Sequence, residues 1–93
     1  MRNSGVAWRI EYLRSAQKSV ERLDPQIRQR IHDYLWKRVA TLDNPRSLGK
    51  PLNGPLATFW AYRAGDYRII CDVQDDRLVI LVVTIGHRGD VYR

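Results

Sequence analysis

The chain has a single cysteine, Cys71, so neither an internal disulfide nor a cysteine-rich zinc site can form. No apolar run approaches the roughly 20 residues that a spanning helix needs, and a membrane partner is not expected. The lead Met1-Arg2-Asn3-Ser4-Gly5 lacks the apolar stretch of a signal peptide, so a cytoplasmic setting is expected. A glycine-rich phosphate loop is missing, and His32 and His87 stand too far apart in sequence to suggest a metal pair. Neither metal nor cofactor is therefore expected. Repeats and low-complexity segments are missing as well. Lysine is scarce: it supplies three of the sixteen cations, and arginine the other thirteen.

That last bias carries information. Against ten acidic residues the cations leave a net charge of +6 and a pI near 10.0, which favours a polyanionic partner. Arginine grips phosphate bidentately and stacks on bases, whereas lysine acts as a point charge. A GC-rich codon usage produces the same bias, so charge alone does not decide for nucleic acid. With 93 residues, 44% hydrophobic and 28% charged, the chain reads as one soluble domain, 1–93, with a modest core.

The pattern along the chain predicts an α+β fold. Ala7 to Tyr12 alternates, with Trp8, Ile10 and Tyr12 on one side, as in a half-buried N-terminal strand. Ser15 is positioned to cap a short helix whose inward stripe is Ala16, Val20 and Leu23. Asp24 followed by Pro25 is a strong start signal for a second helix, in which Ile27, Ile31, Tyr34, Leu35 and Val39 recur at helical spacing to about Thr41. The two helices form a hairpin with one apolar face. Asp43 to Gly54, rich in Asn, Pro and Gly, reads as an irregular crossing. A three-strand antiparallel meander follows. Its first strand runs from about Leu56 to Arg63, with Trp60 and Tyr62 facing one way and Phe59, Ala61 and Arg63 the other. The second is Tyr67 to Val73, with Arg68, Ile70 and Asp72 on one face. The third, Leu78 to Ile85, is apolar on both faces, as a central strand is. With the first strand the sheet has at least four strands, and the helices cover one face.

Several residues have ordinary explanations. Cys71, inside a strand, is expected to be a buried and inert thiol. Arg28, Arg30, His32, Lys37 and Arg38 fit a solvated helix face, and Trp36, off the stripe, covers a flank or meets a partner. Asp72, Asp75 and Asp76 fit turn formation at a hairpin. What remains is basic and aromatic: Arg63, Arg68, His87, Arg88, Tyr92 and Arg93, beside Phe59, Trp60, Tyr62 and Tyr67. Such a set suits RNA, whose 2′-OH is a built-in nucleophile. The protein then needs only a proton acceptor, cations for the charge on the phosphorane, and a proton source for the leaving oxygen. Arg68 and Arg88 are placed to bracket one phosphate, with Tyr92 or His87 as the proton-transfer group. Arg and Tyr at strand ends also cap sheets and pair with Asp, and on residue chemistry alone that accounts for them more simply.

The segments Lys50-Pro51-Leu52-Asn53-Gly54, Trp60 through Ile70 with its core Gly65-Asp66-Tyr67-Arg68, and Gly86-His87-Arg88 followed by Asp90-Val91-Tyr92-Arg93 resemble, in order and spacing, the RelE toxins of toxin–antitoxin modules. The resemblance runs from about Trp8 to the C-terminus, within the RelE/ParE superfamily, and the ending favours the RelE branch. It implies a ribosome-dependent endoribonuclease that cuts mRNA in the A site and stops translation, held by a cognate antitoxin protein. It also implies roles: Arg68 for the scissile phosphate, Arg88 for the leaving group or its charge, and Tyr92 as base or stacking residue. Lys50, Arg63, His87 and Arg93 are expected to bind substrate. In one respect the chain departs from that family, whose members often carry basic residues where Phe59 and Ala61 stand here; Arg63 and Lys50 are the candidates to replace them. The departure leaves a second class open, a ParE-like toxin that inhibits DNA gyrase by binding and cuts nothing.

Overall fold

A computed structural model describes residues 8–52 and 59–87 of the chain. Strand β1 spans Arg9–Tyr12 and leads into helix α1, Arg14–Glu21. Leu13, not Ser15, stands at the helix N-cap, and no side chain caps it. Its amide instead donates to the Val82 carbonyl at 2.9 Å, so sheet pairing of the preceding strand sets where the helix starts. Helix α2, Pro25–Asp33, begins as its sequence signal requires: the Asp24 carboxylate accepts from the Gln26 amide at 2.9 Å, and Pro25 fills the first turn, where no donor is needed. The same helical path continues as a wider π-helical turn over Tyr34–Val39, and the Ala40 amide reaches back five residues to the Leu35 carbonyl at 2.8 Å. That turn keeps Leu35 and Val39 both fully buried and ends the helical path before Thr41.

The expected irregular crossing contains a 3-10 turn, Pro45–Leu48, and a two-residue strand β2, Lys50–Pro51; Asn53 and Gly54 lie outside the described residues. Strand β3 is Phe59–Ala64, β4 is Tyr67–Gln74 and β5 is Val79–His87; the predicted start of β3 at Leu56 also lies outside the described residues. The sheet order is β1-β5-β4-β3-β2, with β1 parallel to β5 and the other pairs antiparallel. The apolar strand β5 is thus central, between β1 and β4. Gly65, with φ of +62°, supplies the left-handed backbone at the tight turn from β3 to β4.

The core lies between the sheet and the helical hairpin, and it contains Trp8, Ile10, Ala16, Val20, Ile31, Leu35, Val39, Tyr62, Ile69, Cys71, Ile80 and Val82. The opposite face is also apolar in places, with Ala61, Ile70 and Val79 buried. Asp72 does not sit in the hairpin turn: it lies within β4, directly across from Phe59 and Leu81. Among the described residues no helix is long and apolar enough to cross a membrane.

Candidate functional site

Strand alternation sorts the candidate residues by face. Tyr62, Ile69 and Cys71 point into the core, so their sequence neighbours Arg63, Arg68 and Ile70 point to the open face of the sheet. In the register, Arg63 lies directly across from Arg68, and Ala61 lies across from both Ile70 and Lys50. Three cations from three strands therefore converge round one small side chain. They line a cleft of about 290 Å³ together with Leu48, Ala61 and Tyr62. Cations opposed on neighbouring strands, with Cβ atoms about 4.5–5.5 Å apart, make this part of the face suited to an anion. Arg63 and Lys50 are exposed and Arg68 is half-buried, so one cation lies in the floor of the cleft and two at its rim.

The loop that brings Lys50 to this cleft is pinned from below. Tyr62, 2% exposed, donates its hydroxyl to the Pro45 carbonyl at 2.9 Å, and burial pushes that phenol above its usual range. Gly49 lies so close that a Cβ there would stand 3.0 Å from the Tyr62 ring. Beyond it Arg46 grips the Asp75 carboxylate with both guanidinium nitrogens, Nη1 to Oδ1 at 3.2 Å, which holds that acid below its ordinary value. The sequence offered Tyr62 as an aromatic of β3 and the Asn-Pro-Arg-Ser-Leu-Gly run as an irregular crossing, but not the contacts that join the two.

His87 does not join the cationic cleft. The register slips between Ile70 and Cys71, which pair with Thr84 and Val82, so Val83 is an extra residue, a bulge in β5. Ile80 and Val82 face the core before the bulge, and Ile85 does so after it. Beyond the bulge Gly86 pairs with Arg68, and His87 pairs with Tyr67 on the helix side. There the two rings meet edge to face, 5.4 Å between centroids. Arg88, Tyr92 and Arg93 lie outside the described residues. Cys71 is fully buried and its thiol is pushed up by burial, as a packing residue's is. Among the described residues no cluster of His, Cys, Asp and Glu is arranged to hold a metal.

A helical hairpin on one face of a five-strand sheet is a fold shared with solved RelE toxins. The family described as the ParE toxin of type II toxin–antitoxin systems, parDE, matches residues 10–92, and the chain belongs to that family. It is a type II toxin of the RelE/ParE superfamily. Toxin RelG of Mycobacterium tuberculosis is 24% identical over 88 residues, which cover 95% of this chain and 99% of that one. Among solved structures, the toxin–antitoxin complex RelBE2 of Mycobacterium tuberculosis superposes with a TM-score of 0.81 at 22% identity, covering 96% of this chain and 100% of that chain. The isolated RelE toxin of E. coli gives 0.70 at 20% identity, covering 92% of each chain. At these identities the structural likeness concerns the fold.

Proposed function

We propose that this toxin is a ribosome-dependent endoribonuclease that cuts mRNA in the A site. The observation that carries the reading is the convergence of Lys50, Arg63 and Arg68 on the open face, a phosphate grip built from three strands. In the reaction the base withdraws the proton of a substrate 2′-OH, and the freed oxygen attacks the adjacent phosphorus. The bond to the 5′-oxygen breaks and that oxygen takes up a proton, leaving a 2′,3′-cyclic phosphate and a 5′-hydroxyl. Arg68, with Arg63 beside it, stabilises the charge on the equatorial oxygens. Arg88 serves the leaving oxygen or its charge, and Tyr92 the attacking hydroxyl. Lys50 and Arg93 hold the flanking backbone. His87 follows Gly86, the neighbour of Arg68, and its packing on Tyr67 fixes the end of β5 from which Arg88 continues.

The partners in this reading are the ribosome with its mRNA and a cognate antitoxin. A toxin with net charge +6 suits an acidic or amphipathic antitoxin segment whose on-rate falls with salt. Action on mRNA and ribosomes puts the protein in the cytoplasm. A translating extract tests the activity: added protein halts synthesis and leaves messages cut within A-site codons. Arg68→Ala slows cutting by about 100-fold or more if the guanidinium acts in the transition state. Uncut message in a stalled extract refutes the reading.

A second reading, gyrase inhibition by binding without cleavage, draws on two observations: the ParE name of the matched family, and the uncharged Phe59 and Ala61 on the open face. A supercoiling assay separates the two. Loss of gyrase activity with intact message supports the second.

A further inference from the structure

The open face carries three successive rungs between β3 and β4, and only the first is basic. Arg63 faces Arg68, Ala61 faces Ile70, and Phe59 faces Asp72. The middle rung is apolar and nearly flush, with Ala61 8% and Ile70 5% exposed. The third rung sets an aromatic ring beside a carboxylate, both half-buried, in direct cross-strand contact range. Turn formation does not explain Asp72, which lies two residues inside the end of β4. Its Oδ2 accepts from the Gln74 side-chain amide at 3.0 Å, a bond that orients the carboxylate and leaves it acceptor capacity.

We infer that Phe59 and Asp72 form a base-docking subsite that selects guanine, on the same face as the phosphate grip. The inference rests on the RNA reading above and adds to it the identity of a base. Four residues of strand separate the third rung from the first, about 13 Å. That exceeds the reach from a phosphate to its own base, so the docked base belongs to a neighbouring nucleotide whose backbone crosses the flush Ala61–Ile70 rung. Phe59 offers a ring on which any base stacks. Asp72 makes the choice. An ionised carboxylate only accepts hydrogen bonds, and guanine alone among the four bases presents two adjacent donors, N1–H and N2–H, on its Watson–Crick edge. Adenine and cytosine place a ring acceptor beside their amino group, and uracil flanks its single N–H with carbonyls; each of these faces a carboxylate with a repelling lone pair.

Binding of short single-stranded RNAs to the purified toxin at low salt tests this, read by fluorescence anisotropy. The probes are 2′-fluoro-substituted oligouridines, which cannot be cut, carrying one guanosine or one inosine. Inosine lacks only the N2 amino group, so it binds about tenfold more weakly than guanosine at the docked position. Asp72→Asn, nearly isosteric, erases that difference. Phe59→Ala weakens the guanosine probe by about tenfold or more, and Phe59→Tyr restores it. Arg68→Ala weakens every probe, whatever its base. Should binding depend on Arg68 while guanosine and inosine stay equal, or stay distinct in Asp72→Asn, the subsite is refuted and the RNA reading stands. Where neither wild type nor Arg68→Ala binds, or both bind alike, the subsite is refuted; the RNA reading falls with it only if message in the translating extract also stays uncut.

Discussion

Replacing Tyr62 with Phe removes one hydroxyl and tests what holds the Asn44–Lys50 segment against the sheet. The hydroxyl donates to the Pro45 carbonyl at 2.9 Å, and both residues are buried. The bond itself is worth about 1 kcal/mol net, and leaving the carbonyl without this donor adds to the loss, so the expected cost is about 1–2 kcal/mol. In a domain of this size each kcal/mol lowers the melting temperature by about 4–8 °C, which puts the variant roughly 5–15 °C below wild type by circular dichroism. Gly49→Ala approaches the same joint from the other side. Its Cβ would meet Tyr62 Cε2 and Cζ at 3.0 Å and the Ala61 carbonyl oxygen at 3.3 Å. A ring tethered by its own hydroxyl yields poorly, and overpacking of this kind costs about 1–3 kcal/mol. Both changes loosen the mount of Lys50, so on the proposed reading message cutting falls along with stability. A Tyr62→Phe variant that melts within about 1 °C of wild type refutes the argument, because the hydroxyl bond would then anchor nothing.

Three further outcomes follow from single groups. Arg46 holds the Asp75 carboxylate below its ordinary value of 3.8, so the unfolded chain binds the proton more tightly. The contact stabilises above that value and its contribution is lost as pH falls through the lower, folded value. Denaturant midpoints of wild type and Asp75→Asn should accordingly differ at neutral pH and converge in acid; a gap that widens in acid overturns the assignment. Cys71, fully buried with its thiol pushed up, is expected to resist a thiol reagent at about pH 8 until denaturant is added, and prompt labelling of the native protein contradicts its burial. Leu78 adopts a φ of 53° with 38% of its surface exposed, a conformation that costs an L-residue roughly 1–2 kcal/mol. After the entropy that glycine adds to the unfolded chain, Leu78→Gly should still stabilise by about 0.5 kcal/mol, and a lower denaturant midpoint refutes the strain.

The parts of the fold that were legible beforehand are those where one local rule acts alone. Asp24-Pro25 announces α2 because the cap and the missing proline donor both concern the first turn, and the two-sided apolar run of β5 announces a central strand. The misjudged parts are those decided by contacts distant in sequence. Ser15 has the chemistry of a cap, but the bond from Leu13 to Val82 starts α1 earlier. Lys50 and Pro51 look irregular because β2 is two residues long and exists only through its pairing with Ala61 and Trp60. The bulge at Val83 is the most consequential, since Val82, Val83 and Thr84 carry no glycine or turn residue to announce it. Unbroken alternation from Ile80 would have put Gly86 on the core side and His87 beside Arg68; one inserted residue exchanges them.

That exchange bears on how the cleft is furnished. With His87 turned toward Tyr67, the cleft takes its charge from the residues around the rung at Ala61. Here the alanine is too small to fill the rung, and its cross-strand neighbour Lys50 stands at the same level on the edge strand. One residue further along the same face of β3, Arg63 stands opposite Arg68. The positive charge of this face therefore lies on Arg63 of β3 and on its neighbours Lys50 and Arg68, toward one end of the sheet, with Phe59 and Asp72 at the other. A cation at position 59 would sit across from the Asp72 carboxylate and neutralise it. With phenylalanine there that pairing is absent, and on the reading proposed above the face divides into an end for a phosphate and an end for a base.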